Sequence, residues 1–573
     1  MTAQSQVSPS DLRAALCNRH EQVLTDAAAA LAARSYYARY PDSPSPRVHG
    51  EGAAETGLGA YETQLGRAFD LGDQPTAGDP VGSEVSPYGP VLGVTYPRLD
   101  VDAAMSAARG AMREWRDVGP RTRAAVCVEI IDRLHGRSFE MAHAVMHTSG
   151  QPFVMAFQAG GPQAQERALE AVVAALVEQE RIPARARWEK PGKDAPLVMD
   201  KEFVCVPRGV ALVIGCNTFP TWNAYPGLFA SLATGNAVVV KPHPRAVLPL
   251  AITVAVCREV LAEVGFDPAL VQLAAEGDGE ALAKELAVRP EVAIIDYTGG
   301  PGFGGWLERE GAAAGKAVFT EKAGVNSIIL DSTDDLRGML GNLAFSLTLY
   351  SGQMCTTPQN LYLPRTGLQT PDGPVSVADF AARLGAAVER LTGDDARAVE
   401  LLGATVNDAV RARVAGLADL AREADGEVVL ESRSVTHPAY PDAVVHTPGL
   451  VRLDAAREDV YTEECFGPVA LLIVTESTEH SLAQFVDTVR EHGAMTAAVY
   501  STSEEVLEAA REASLDAGVA LSENLTGQVF VNQTSAFSDF HGTGANPAAN
   551  AAYTDAAFIA PRFRVIATRR HAG

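Results

Sequence analysis

The sequence predicts an α/β protein built around a doubly wound parallel sheet. From Gly209 onward, five short apolar runs alternate with helical stretches. Continuous apolar runs of strand length suit strands buried on both faces, and strand–helix alternation implies right-handed crossovers. A second α/β region follows over about 326–532, with the strand-like runs NLYLP, ALLIV and VFVN and a helical stretch over 334–350. With 47% hydrophobic and 21% charged residues, the 573-residue chain can bury several cores without disulfides or metals.

Taken in chain order, residues 1–85 hold an Ala-rich helical stretch over about 11–38, then a Pro/Gly/Ser-rich segment that includes PDSPSP at 41–46. They predict an extension with little chemistry of its own. Apolar residues recur at helical spacing over 101–137, and a further long helix is expected over 161–180. The five runs are then GVALVIG, AVVVKP, LVQLAA, AIIDYTGG and KAVFTEKAG. Such a sheet binds ligands at the carboxyl ends of its strands, here the loops CNTF, KPHPR, EGDG, TGGPG and EK. The stretch at 196–207 and the tail FRVIATRR are β-like and predicted to pair with each other or with another subunit.

A formal net charge of −24 repels nucleic acid and anionic membranes, so neither is an expected partner. The seven cysteines are an odd number, widely spread and without a CxxC pair, which argues for free thiols in a reducing compartment. The twelve histidines never fall in zinc-like spacing, so no metal is expected. The first thirteen residues hold no secretory apolar stretch, and the longest apolar run, 246–257, is too short to span a bilayer. These features together favour the cytoplasm.

Three groups carry chemistry. Cys355 lies in SGQMCTTPQN, a loop after a predicted helix; a thiolate there could attack an aldehyde carbon, although a cysteine in a loop, taken alone, is more often an inert buried thiol. Glu321 ends the strand-like VFTEKAG. It could be a salt-bridge partner of Lys322, a solvated strand-end carboxylate, or a base of raised pKa. Asn217 and Asn223, just after the first strand, offer amide N–H groups to an oxyanion or cap the following helix.

The order of these parts resembles the aldehyde dehydrogenase superfamily: Asn after strand one, Lys241 after strand two, Thr-Gly after strand four, Glu321 after strand five, then GQMC. ATGNAVVVKP, YTGG at 297–300 and YTEECFGPV at 461–469 are similar to motifs of that family, over roughly residues 95–573. The extension, GCNTFPTWN, EKAGVNS and HGTGANPAANAAYTD most resemble the PaaN-type proteins of phenylacetic acid degradation.

The resemblance implies an aldehyde dehydrogenase-like fold: a helical extension (1–85), a Rossmann-type cofactor domain (86–185 and 208–320), an α/β catalytic domain (321–540), and a small β bridging element (186–207 and 541–573) that builds a homodimer or homotetramer. It implies Cys355 as nucleophile, Glu321 as base and Asn217 as oxyanion donor, with Asn223 the second candidate. It places Ile214, Gly215, Lys241, His243, Gly277, Thr298, Gly299, Gly300, Glu464 and Phe466 at NADP or NAD. NADP is the expected preference, because Pro244 stands where many NAD-using relatives carry a ribose-binding Glu. The implied substrate is a small aldehyde, a CoA-linked semialdehyde from an opened ring among the candidates. The rivals are a CoA-acylating enzyme, against which Glu321 argues, and a non-catalytic scaffold. Gly300 in place of Ser, and SDFHGTGANPAAN in place of the family's usual segment, are departures at the cofactor phosphate and at the substrate mouth.

Overall fold

The computed structural model describes residues 8–572. The five predicted runs form one sheet of strands Val210–Ile214, Val238–Lys241, Val271–Leu273, Val292–Gly299 and Ala317–Lys322. Across the sheet the order is third, second, first, fourth, fifth, and every pairing is parallel. The winding reverses between the first and fourth strands, so a crevice opens beyond their carboxyl ends. Val210–Ile214 is buried along its whole length, as an all-aliphatic strand between two helical layers must be. Helix Pro220–Ala233 lies against it and carries helix Pro162–Glu180 on its outer side.

The second sheet has seven strands, in the order Glu427–Leu430, Gly449–Asp454, Val469–Thr475, Asn360–Pro364, Ser327–Leu330, Ala497–Tyr500, Leu521–Glu523. NLYLP and ALLIV are two of them. VFVN is not a strand: residues 529–532 are irregular, tied down by Asn342 Nδ2 on the Val529 carbonyl (2.6 Å), while Val531 packs into the core beside Met339 and Leu343. The helical pattern over 101–137 is likewise two helices, Val101–Asp117 and Pro120–His135. Gly119 at φ +83° turns the chain between them, and the following Pro opens the second.

A third sheet is antiparallel. Leu197–Pro207 lies between Arg185–Lys190 and the tail strand Phe563–His571, whose register runs from Phe563 opposite Pro207 to His571 opposite Met199. The N-terminal helix Pro9–Ala33, capped by Ser8, packs on Pro120–His135 and Pro162–Glu180. Beyond it the chain is caught by Glu166, whose Oε1 accepts the N–H groups of Arg39 (2.5 Å) and Tyr40 (2.6 Å). Among the described residues no helix is long and apolar enough to cross a membrane.

One buried ion pair fastens the tail to the first sheet. The Arg562 guanidinium, fully buried, grips both Asp296 oxygens (2.6 and 2.8 Å), donates to Ser231 Oγ, and lies over the Phe319 and Phe558 rings. Removing one partner of such a pair leaves the other charge buried and uncompensated, at a cost of about 3–5 kcal/mol. Arg562→Met is therefore expected to lower the denaturant midpoint strongly. Adding Asp296→Leu should recover part of the loss, and a single variant as stable as the parent would contradict this account.

Candidate active site

Glu321 is the next-to-last residue of the last strand of the first sheet, in register with Thr298 on the neighbouring strand. Strand alternation sends the next side chain, Lys322, the other way, where its ammonium meets Glu308 at 2.9 Å. A salt bridge between Glu321 and Lys322 is thus ruled out. The Glu321 carboxylate is instead 3% exposed. Its Oε2 accepts hydrogen bonds from Asn223 Nδ2 (2.9 Å) and the Tyr553 hydroxyl (2.8 Å), and its Oε1 stands 3.1 Å from His541 Nε2. Burial pushes the carboxyl up, but His541, the Tyr553 hydroxyl and the Cys355 thiol outweigh it and hold it below its ordinary value. The raised value that the sequence allowed for is corrected: the strand end is apolar, yet the groups that close over it are donors.

Cys355 Sγ is 4.0 Å from the same His541 nitrogen, and the donor atoms of Glu321, Cys355 and His541 all lie within 4.8 Å of one another. Burial, then the neighbouring Glu321, hold the thiol well above its usual range. Its backbone is fixed by Asn326, whose Nδ2 donates to the carbonyls of Cys355 (2.8 Å) and Thr357 (2.9 Å). The preceding turn is strained. Tyr350 and Ser351 both have positive φ (54° and 52°), an arrangement rare for residues with a side chain. The Tyr350 hydroxyl on the Ser149 carbonyl, and Ser351 Oγ on the carbonyls of Gly403 and His446, hold it there. At Gly352 a Cβ would strike the Gly467 carbonyl.

Two cavities meet at Cys355. One, of about 280 Å³, ends at Cys355 and His541 and is walled by Met155, Phe219, Trp222 and Phe345. Residues 36–38 and 40–42 line it too, so the extension, expected to carry little chemistry, forms a wall of this cavity. The other, of about 780 Å³, lies in the crevice of the parallel sheet. It gathers Ile214, Gly215, Asn217, Lys241, His243, Thr298, Gly299, Gly300, Glu464 and Phe466 around the thiol. Gly277 is not among its lining; the Gly277 N–H turns to Glu280 (3.0 Å). Helix Pro301–Ala313 starts at this cavity, and Gly300 gives its N-terminal N–H groups no side-chain cap, an arrangement suited to a phosphate. The Lys241 ammonium is paired with Glu276, which also accepts the Leu282 N–H (2.7 Å). Burial pushes the Glu464 carboxyl up to about 7.

One N–H of Asn217 Nδ2 is spent on the Thr148 carbonyl (2.9 Å), and the other makes no bond among the described residues. Asn223 is committed to Glu321 and Tyr553.

His541, Tyr553 and Glu276 were not singled out by the sequence. The first two belong to a segment assigned there to the bridging element, yet only Phe563–His571 joins the three-stranded sheet. Residues 541–553 instead run beside the end of the Glu321 strand: Lys322 N–H donates to Ala548, Asn550 N–H to Thr320, and Tyr553 N–H closes the loop on the His541 carbonyl. The only hint in the sequence was a His and a Tyr bounding a Gly/Asn/Ala-rich run.

The chain is similar to known proteins over most of its length. The model of the "Aldehyde dehydrogenase family" matches residues 95–544. A curated benzaldehyde dehydrogenase [NAD(+)] of Pseudomonas putida is 26% identical over 401 residues, covering 69% of this chain and 75% of its own. The crystal structure of an NAD-dependent aldehyde dehydrogenase from Burkholderia multivorans is 54% identical, with a TM-score of 0.94, covering 97% of this chain and 99% of that one. A 1-pyrroline-5-carboxylate dehydrogenase structure from Thermus thermophilus shares the fold at 21% identity and a TM-score of 0.74, covering 94% and 99% of the two chains.

Proposed function

The chain belongs to the aldehyde dehydrogenase family, and from that premise we propose that it oxidises a small aldehyde to its acid through a thioester on Cys355. The observation that carries this is the position of the Cys355 thiol, at the meeting point of the two cavities and beside Glu321. The aldehyde enters from the smaller cavity and Cys355 Sγ adds to its carbon. The free N–H of Asn217 takes the oxyanion. A nicotinamide nucleotide, when bound in the larger cavity, supplies the hydride acceptor. Its residues fit that group: Gly299, Gly300 and the uncapped helix for phosphate, Glu464 and Phe466 for the ribose and ring. Glu321 then draws a proton from water, which releases the acid.

The finer reading is a PaaN-type substrate, a semialdehyde left by opening the ring of a phenylacetyl-CoA derivative. The aromatic and aliphatic walls of the smaller cavity support an acyl chain of that kind, and its volume of about 280 Å³ suits the chain end alone, with any coenzyme A outside. A homodimer or homotetramer joined through the tail sheet belongs to the same proposal, supported by the outer position of Phe563–His571.

For the cofactor, Glu276 neutralises Lys241, one of the charges on which an NADP preference would rely, while Arg245 also lines the cavity. By taking up the Lys241 charge, Glu276 removes one attraction for a 2′-phosphate, which supports NAD. The relative of 54% identity is itself described as NAD-dependent.

Three outcomes follow. Glu321→Gln should give one burst of reduced cofactor and then slow turnover, with an acyl adduct on Cys355 by mass spectrometry; equal loss of burst and steady state would point to an earlier role. The ratio of kcat/KM should favour NAD by at least about tenfold, or 1.4 kcal/mol. Glu276→Gln should narrow it, and a parent enzyme that prefers NADP overturns the assignment. Finally, burial pushes the Glu464 carboxyl up to about 7, and only its anion accepts ribose hydroxyls fully. Cofactor binding, read by fluorescence, should therefore tighten as pH rises through that value. Glu464→Gln should flatten the dependence, and a parent already flat would disprove the contact.

A further inference from the structure

The buried histidine beside the thiol has no part in the reaction as described. His541 is 3% exposed. Its ring meets Trp222 edge to face, 4.6 Å between centres, and lies tilted to Tyr553 at 5.2 Å. The loop around it is closed by the Tyr553 N–H on the His541 carbonyl (3.1 Å). Packed in this way, the imidazole aligns Nε2 with Cys355 Sγ at 4.0 Å. Glu321 Oε1, at 3.1 Å, is within ion-pair distance of the same nitrogen. A cation at Nε2 would therefore face an anion on each side.

The thiol needs such a neighbour. Losing its proton to solvent would place a second anion within 4.8 Å of the Glu321 carboxylate, in a buried site. Burial and that carboxylate both oppose it. Glu464 and Cys216 act on the thiol in the same sense. Tyr553 and Asn223 spend their donors on Glu321 rather than on sulfur. The Arg167 guanidinium lies over Trp222, on the far partner of the histidine ring, and pairs with Glu170. A proton passed from sulfur to His541 leaves the net charge of the three groups unchanged.

We propose that His541 is a catalytic residue that takes the Cys355 proton at Nε2, so that the attacking species is a thiolate paired with an imidazolium flanked by Glu321. The inference rests on Cys355 being the nucleophile. The S–H bond breaks with its electron pair left on sulfur, and an N–H bond forms. The sulfur pair then bonds the aldehyde carbon as the carbonyl π pair moves to oxygen. The proton stays on the imidazole until the thioester is hydrolysed, and then returns to the departing sulfur. The proton released in turnover is the one Glu321 draws from water. No further reactant is needed.

The test is alkylation of Cys355 by iodoacetamide in the full chain, followed by peptide mass between about pH 5.5 and 9. EDTA is included because the three donors are close enough to share a cation. In the parent protein the rate should hold a plateau below pH 7. A single rise above the ordinary thiol value near 8.5 would overturn the proposal without any variant. His541→Gln, with His541→Asn as a second variant, should slow the reaction at pH 7 at least about tenfold and move its rise to higher pH. A folded variant with the parent rate and profile would also overturn it. Cys355→Ala separates the two ideas: if that variant still turns over aldehyde, the nucleophile assignment fails, and if it is inactive while His541→Gln keeps the parent profile, only the role of His541 fails.

Discussion

The site is organised by one buried carboxylate. Removing the Glu321 charge from water would be prohibitive without compensation, because an unpaired buried ion costs several kcal/mol. The protein compensates from three separate places. Asn223 comes from the helix that follows the first strand, while Tyr553 and His541 come from the two ends of a loop more than two hundred residues later in the chain. Each must arrive for the charge to be tolerated, so the carboxylate draws the sheet, the helix and the late loop into one arrangement. The carboxyl is held low by its donors, and burial together with that carboxylate opposes loss of the neighbouring thiol proton to solvent.

The thiol is positioned by a different kind of constraint. Two successive non-glycine residues in left-handed conformation cost of order 1–3 kcal/mol each and persist only when the surroundings over-determine them. Here the Tyr350 and Ser351 hydroxyls, and Asn326 just beyond, hold the turn against three distant backbone segments. The strain sets Cys355 at the seam between an apolar cavity and a polar one, and the neighbouring elements decide what each cavity admits. The N-terminal segment narrows the first, because Glu166 binds the backbone at Arg39 and Tyr40 and draws residues 36–42 across its side. The Lys241–Glu276 pair sets the charge at the second strand end.

By itself the sequence determined the five-stranded parallel sheet, its ligand-binding edge, and the strands NLYLP and ALLIV. Apolar runs buried on both faces declare themselves by local composition, and the loops between them are short. It also placed Cys355, Glu321 and nine of ten candidate cofactor residues around a single crevice, since residues that follow successive parallel strands share one edge of the sheet by topology alone. Gly277 lies outside the lining of that crevice, its N–H turned to the neighbouring Glu280. VFVN had the composition of a strand, yet Asn342 and the core beneath it hold those residues in irregular backbone. Only the tertiary structure decided which of several distant polar groups would meet. Glu276 and the tyrosines of the extension carry no local signal, and His541 and Tyr553 only that of bounding a Gly/Asn/Ala-rich run, because their surroundings are built from segments tens to hundreds of residues away. The direction of the Glu321 shift was hidden for the same reason: it depends on the donors that close over the carboxylate, and those come together only when the chain has folded.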